Sequence, residues 1–277
     1  LVALPKPRVT LLVLATAAVG MGFAPEALDA QRALWMLAGT WLCVASANAL
    51  NCFLERDSDR FMRRTRNRPL PAERLDPGLA RGFGLLLGFV SLPVLALGAN
   101  LVTSVLGLVA LVSYVGVYTP MKRRSTWALV VGAVPGALPP LMGYAAVSGE
   151  LGIKGVLLFA LLFLWQIPHV IGLAAFRRED YVAAGIRVLP AVIGAERTRL
   201  HALSWAVVLC AVSLLPYALG WTGLPYLGCA VVLGAWFVFA TLRRAPQDLS
   251  GWGRGVFLTS LFYLPLLFAA LLVDGRG

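Results

Sequence analysis

The sequence predicts an all-α, polytopic membrane protein with nine transmembrane helices, on three observations. The 277 residues are 59% hydrophobic and only 13% charged, with mean hydropathy +0.80. Soluble domains average about 45–50% apolar and about 25% charged. Apolar stretches near the ~20 residues that cross ~30 Å of hydrocarbon recur along the whole chain. The basic residues fall almost entirely in alternate loops, as the positive-inside rule requires.

The nine spans are read at residues 9–23, 34–54, 82–97, 102–118, 127–147, 155–175, 202–219, 224–242 and 256–273. The first follows Lys6 and Arg8 as a signal peptide would, but no A-x-A-like site follows it, so it is read as a retained helix. The second runs directly into a polar segment that begins at Asn51. Gly84 and Gly88 in the third, and Gly132 and Gly136 in the fifth, recur at the four-residue spacing that lets helices approach closely in lipid. Pro135, Pro139 and Pro140 are expected to interrupt the fifth and free backbone carbonyls beside a chamber. The sixth carries Trp165-Gln-Ile-Pro-His169, an ionisable group inside an apolar span. The last three are featureless apart from Cys210 and Cys229. With Cys43 and Cys52 these read as packing residues, because no metal or disulfide spacing occurs. His201, just before a span, reads as an interface residue.

Of the 24 Lys and Arg, all but Arg32, Lys154 and Arg276 fall on one side. That side, with the N-terminus and the loops near 55–81 and 176–200, is expected in the cytoplasm. The net charge of +11 therefore reads as membrane orientation and attraction to anionic lipid or substrate rather than to nucleic acid. Four spans separate the two long loops, which suggests two similar halves of four helices plus one, within a single domain over 1–277.

The segment Asn51-Cys-Phe-Leu-Glu55-Arg-Asp57-Ser-Asp59 carries the chemistry. If the second helix continues through it, Asn51, Glu55 and Asp59 share one face, each about 6 Å further along the axis. Such oxygen ligands suit Mg²⁺, which usually bridges one or two carboxylates to a substrate phosphate. Arg63, Arg64, Arg66 and Arg68 follow, and arginine forks bind phosphate oxygens. Glu179 and Asp180 follow the sixth span at matching depth and offer a second acidic pair, to hold either a second Mg²⁺ or the far end of the same diphosphate. Lys122-Arg123-Arg124, after the fourth span, either orient that helix or hold a diphosphate.

This pattern resembles the UbiA-type membrane prenyltransferases: Asn and two acids at four-residue spacing, then Arg-Thr-x-x-Arg-Pro-Leu. Here it reads NCFLERDSDRFMRRTRNRPLP from Asn51. The chain is similar above all to the protoheme IX farnesyltransferase (haem O synthase) branch. KPRVT from Lys6, Thr119-Pro-Met-Lys122-Arg123, PGALPPLMGYAA from Pro135, and WQIPHVIGLAAFRREDYVAAGI from Trp165 carry that likeness. Glu55 stands where Asp is common, Val170 replaces a Phe, and Arg187-Val188 replaces Pro-Met.

The resemblance implies helices around a central cavity in the cytoplasmic (inner) membrane, and transfer of a farnesyl group from farnesyl diphosphate to a haem b vinyl group. It implies Mg²⁺ on Asn51, Glu55, Asp59 and Asp180, with Arg64, Arg68, Lys122 and Arg123 on the diphosphate. His169 is expected at haem, membrane lipid around the protein, and haem A synthase as a partner. An aromatic acid of quinone biosynthesis is the alternative acceptor. A transporter is the alternative class, disfavoured because the ionisable residues crowd one interface rather than the midplane.

Overall fold

The computed structural model describes residues 1–243 and 249–275. Arg244 and Arg276, used above to orient the helices, lie outside them. The described residues form helices and no strands. Among the described residues, eight helices are long and apolar enough to cross a membrane. The ninth expected span is a shorter apolar helix, α1 (Pro7–Gly22). The protein is an integral membrane protein.

The structure has two compact units. One comprises Leu1–Phe159 and Ala183–Ile186, the other Ala160–Val182 and Arg187–Gly277.

In the first unit, α2 runs over Ala30–Asp59. Asp29 caps it by accepting hydrogen bonds from the Gln31 and Arg32 N–H groups at 3.2 Å, orphan donors at any helix start. Thirty residues span about 45 Å. The helix therefore outruns the hydrocarbon and carries Asn51, Glu55 and Asp59 on its last turns. Pro77 at the first position and an Asp76 cap start α3 (Pro77–Gly98). Asn100 caps α4 (Leu101–Val112), and its amide also donates to the Ala145 carbonyl at 2.7 Å.

A π-helical turn, Ser113–Tyr118, follows α4 and leads into α5 (Thr119–Met121). The widened turn directly precedes Pro120, whose ring cannot sit over a normally placed carbonyl four residues back.

α6 (Ala128–Ser148) is a continuous helix, and Pro135, Pro139 and Pro140 do not break it. The expected interruption does not occur because neighbours cover the segment. Nearly every residue from Ala133 to Val147 is buried or half-buried, and Leu138, Leu141 and Met142 centre a core that includes Ala17, Met36, Leu95 and Leu106. α1 crosses α6 at Gly20 and Gly143. A Cβ on Gly20 would run into the Pro140 carbonyl oxygen, and one on Gly143 into that of Ala17. Contact of this kind, rather than solvent exclusion, joins helices in lipid.

The unit boundary falls within α7 (Ile153–Phe176). The expected loop at 176–200 holds α8 (Arg178–Ala183) and α9 (Leu189–Val192), and α10 (Ala195–Ser213) starts earlier than hydropathy suggests. Polar residues such as Glu196, Arg197 and Arg199 hid that first turn. α11 (Leu215–Ala218), α12 (Leu224–Leu242) and α13 (Leu249–Asp274) complete the second unit.

The Ser213 and Tyr263 hydroxyls bond at 2.7 Å, and the Tyr226 hydroxyl donates to the Ser213 carbonyl at 2.8 Å. Asp274, at the end of α13, accepts from the Gly223 and Tyr226 N–H groups that open α12, at 2.7 and 3.0 Å. All four cysteines are free thiols.

Candidate active site

α2 stays helical through Asp59, so Asn51, Glu55 and Asp59 do form one stripe. Asn51 is 2% exposed and Asp59 1%. Each of the three is held by a cation. The Lys6 ammonium donates to Asn51 Oδ1 at 3.1 Å, Lys122 to Glu55 Oε1 at 2.8 Å, and Arg68 Nη1 to Asp59 Oδ2 at 2.8 Å. Asp57 points elsewhere; its side chain is 67% exposed and lies 3.7 Å from Arg56.

Local structure explains how the cations arrive. Arg68 is placed by Thr65, which is fully buried and donates to the Asp59 carbonyl at 2.9 Å, folding the Arg-Thr-x-x-Arg loop back onto the helix end. The Arg68 N–H then bonds the Thr65 carbonyl at 2.9 Å. Lys122 stands at the end of the π-widened segment, 4.3 Å from the Tyr118 ring centroid and 6.0 Å from that of Tyr114. Thr119 ties this corner to α2: it accepts from the Asn51 amide at 3.3 Å and donates to the Tyr114 carbonyl at 2.8 Å.

Lys6 has φ +50°, in the left-handed region, which costs a non-glycine residue about 1–3 kcal/mol. Its neighbours fix it there. The Pro5 carbonyl accepts from the Asn48 amide at 3.1 Å and from the Thr10 hydroxyl at 2.7 Å, while Leu4 is buried in a cluster with Ala49, Cys52, Leu70 and Ala80.

Electrostatics differ between the two lysines. Burial, aided by the Arg68 and Lys122 charges, pushes the Lys6 ammonium below its ordinary range. Burial opposes the Lys122 charge too, but Tyr118 and the Glu55 carboxylate outweigh it and hold its pKa above the usual value.

One atom remains unmatched. Asp59 Oδ1 is buried and has no hydrogen-bond partner among the described residues, a condition that native structures rarely leave without a cause. A hard carboxylate oxygen beside Glu55 and Asn51 fits a divalent cation. Among the described residues no three His, Cys, Asp or Glu side chains form a closed metal cage, consistent with a cation that completes its shell with substrate oxygens.

The other expected residues make no pair of this kind among the described residues. Arg64 and Arg123 are exposed, and neither makes a side-chain bond among the described residues. In the second unit, α8 carries Glu179, exposed, and Asp180, half-buried, likewise unpaired among the described residues. His169, on α7, bonds Ser260 through Nδ1 at 2.7 Å.

The sequence reading missed Lys6, Thr65, Thr119, Tyr114 and Tyr118 as parts of the site. Four of these five lie inside or beside motifs it quoted, so the signal was present. Ser260 lies in an apolar helix that offers none.

The UbiA prenyltransferase family model matches residues 13–272. The protoheme IX farnesyltransferase of Myxococcus xanthus is 50% identical over 281 residues, covering 99% of this chain and 94% of that protein. The protein of the same name from an Anaeromyxobacter species is 48% identical over 279 residues, covering 100% and 93%. Among solved structures, a digeranylgeranylglyceryl phosphate synthase superposes with TM-score 0.83 at 18% identity, covering 98% of this chain and 95% of that one. A UbiA homolog from Archaeoglobus fulgidus bound to GPP and Mg²⁺ gives TM-score 0.70 at 19% identity, covering 95% and 98%. The fold is shared with these structures, and on the family match and full-length relatives together the chain belongs to the UbiA prenyltransferase family.

Proposed function

We propose that this protein transfers the farnesyl group of farnesyl diphosphate to a vinyl group of haem b, giving haem O, from the cytoplasmic face of the inner membrane. The observation that carries the prenyl-transfer reading is the ladder of Asn51, Glu55 and Asp59, each matched to a cation, with one buried carboxylate oxygen left over. Haem b as acceptor is supported by relatives named protoheme IX farnesyltransferase at up to 50% identity over nearly the whole chain. The cytoplasmic placement rests on the loop distribution of Lys and Arg.

Asn51, Glu55 and Asp59 are the proposed Mg²⁺ ligands, with Glu179 and Asp180 as further ligands on the argument from sequence. Bound there, Mg²⁺ supplies positive charge against the two phosphates. Lys122, Arg68 and Lys6 would donate to the phosphate oxygens, joined by Arg64 and Arg123 from the surface. The C–O bond to the farnesyl carbon breaks and its electron pair leaves with diphosphate, so these donors stabilise charge that grows in the transition state. The Tyr114 and Tyr118 rings, with centroids 5.3 Å apart, offer π faces to an allylic cation. The vinyl group then attacks that cation, and water adds to the new carbocation with loss of a proton, leaving a hydroxyethylfarnesyl arm. Haem A synthase is the proposed downstream partner.

The test is a vesicle assay with farnesyl diphosphate, Mg²⁺ and either haem b or 4-hydroxybenzoate. Farnesylated haem is the expected product, and prenylation of the benzoate alone overturns the haem reading. Asp59→Ala should abolish turnover in a protein that still inserts and folds. Near-normal turnover in that variant would remove the metal site from the argument.

A further inference from the structure

In the second unit the surroundings of His169 carry more than its presence in an apolar helix would. α13 lies tight against α7. A Cβ on Gly253 would come within 2.6 Å of the Gly172 carbonyl oxygen, and one on Gly172 within 2.9 Å of the Phe257 nitrogen. That approach sets Phe257 and Ser260 of α13 beside His169. The imidazole stacks on Trp165, with centroids 4.4 Å apart and planes 22° apart, and meets the Phe257 ring at 4.9 Å. Trp165 in turn donates its indole N–H to the Ser260 carbonyl at 2.8 Å. The ring is therefore fixed by aromatic neighbours and by a bond between the two helices.

The hydrogen bonds then decide its tautomer. The Ser260 hydroxyl has one proton, and it lies 2.6 Å from the Phe257 carbonyl oxygen, which can only accept. The proton belongs to that bond. His169 Nδ1, 2.7 Å from the same hydroxyl, must then be the donor. Were Nδ1 the acceptor, the serine and carbonyl oxygens would face each other at 2.6 Å with no proton between them. No carboxylate bonds the ring among the described residues, so nothing there favours a second ring proton. Nε2 is left with its lone pair, makes no hydrogen bond among the described residues, and belongs to a half-buried side chain.

A neutral imidazole whose Nδ1–H is tied down, with Nε2 bare, is the arrangement found where histidine binds a transition metal. We propose that His169 Nε2 ligates the iron of the haem acceptor, and that Ser260 is the positioning residue that keeps this nitrogen deprotonated and aimed. The inference rests on haem as the substrate. It goes further by giving one edge of the acceptor site a ligand atom, and by adding a residue from the C-terminal helix.

The test is titration of the full-length protein in detergent with haem b, without farnesyl diphosphate. It is followed by optical absorption and by EPR of the ferrous nitrosyl adduct, which reports a nitrogen opposite the nitric oxide. Wild type should show the axial nitrogen. His169→Ala and His169→Gln should lose it, and added imidazole should restore it to the alanine variant. Ser260→Ala should keep the nitrogen signal but bind haem about 10–100-fold more weakly, the usual effect of losing a partner of a metal-ligating histidine. Ser260→Thr, which retains a hydroxyl, should recover. An unaltered spectrum and affinity in both His169 variants would overturn the proposal, as would a pH-dependent loss of turnover with haem binding intact, which would make the residue a base. A wild type that ligates haem yet never farnesylates it would defeat the proposed reaction and leave the ligand assignment standing.

Discussion

Replacing Arg68 by Met should destabilise the protein through the residue it leaves behind. Asp59 is 1% exposed, and among the described residues its Oδ1 is without a partner and Arg68 supplies the single bond to Oδ2, at 2.8 Å. Removing one member of a buried ion pair costs about 3–5 kcal/mol, because the survivor is a charge cut off from water. The Arg68 side chain is 26% exposed, so the pair is not fully desolvated and the lower figure, about 3 kcal/mol, applies. At about 2–4 °C per kcal/mol for chains of 150–250 residues, the thermal midpoint should fall by roughly 6–12 °C. Tryptophan fluorescence during heating in detergent, without Mg²⁺, measures it. In Asp59→Asn combined with Arg68→Met no charge is stranded, and the midpoint should return to within about 3 °C of wild type. Added Mg²⁺ should raise the single variant and not the double one, since only the former keeps the carboxylate. Equal midpoints for the single and double variants would refute the reasoning, because the penalty would then not come from Asp59.

Four further substitutions separate binding, packing and capping. Lys6→Met should raise the KM for farnesyl diphosphate about 10–150-fold, the loss of one charge-assisted bond of about 1.5–3 kcal/mol. It should leave the thermal midpoint unchanged or higher, because burial already disfavours that ammonium. Gly143→Ala should cost about 1–3 kcal/mol in thermal unfolding, since its Cβ meets the Ala17 backbone, whereas Gly82→Ala, with nothing within 4 Å of the added carbon, should not destabilise. Asp274→Ala should cost about 0.5–2 kcal/mol by taking the acceptor from two N–H groups at the start of α12, read as a lower midpoint with prenyl transfer retained.

Periodicity and charge made the membrane architecture legible, and the four-residue spacing made the acidic stripe legible, because both are properties of one helix. The helix ends were less so. Hydropathy stops α2 at the last apolar residue, but the backbone ladder continues to Asp59, since helix geometry does not depend on where lipid ends. The prolines of α6 misled for a related reason. Their cost depends on what packs around the segment, and that packing comes from α1 and α4, far away in sequence. Partners set by tertiary structure were invisible. Nothing local says that Lys6 reaches Asn51 across 45 positions, or that Ser260 reaches His169 across 91. The arginines show the same limit. Arg64 and Arg68 look alike in the motif, but only Arg68 is carried to Asp59 by the turn that Thr65 anchors.

The pairing of every stripe residue with a cation dictates how the two halves of the substrate complex must cooperate. A divalent ion arriving alone finds Asp59 Oδ1 free, but to gather Asn51, Glu55 and Asp59 around it the ion has to draw them off Lys6, Lys122 and Arg68, each bonded at 2.8–3.1 Å, and strands those cations near it. A diphosphate arriving alone has to take the same cations away and strands Glu55 and Asp59. When both arrive, each displaced group finds a new partner: the carboxylates hold the metal and the cations hold the phosphates. Binding of the two should therefore be mutually reinforcing, by the 5–150-fold usual for coupled sites, and by the same factor in either order. Calorimetric titration of Mg²⁺ with and without inorganic diphosphate, and the reverse, measures both factors once the association of the two ligands in solution is subtracted. In Lys122→Met the coupling should shrink, because Glu55 is then free to take metal without displacing anything. Independent binding in the wild type would mean that the cations stay on the carboxylates throughout, and the stripe could not then be where the leaving group is held.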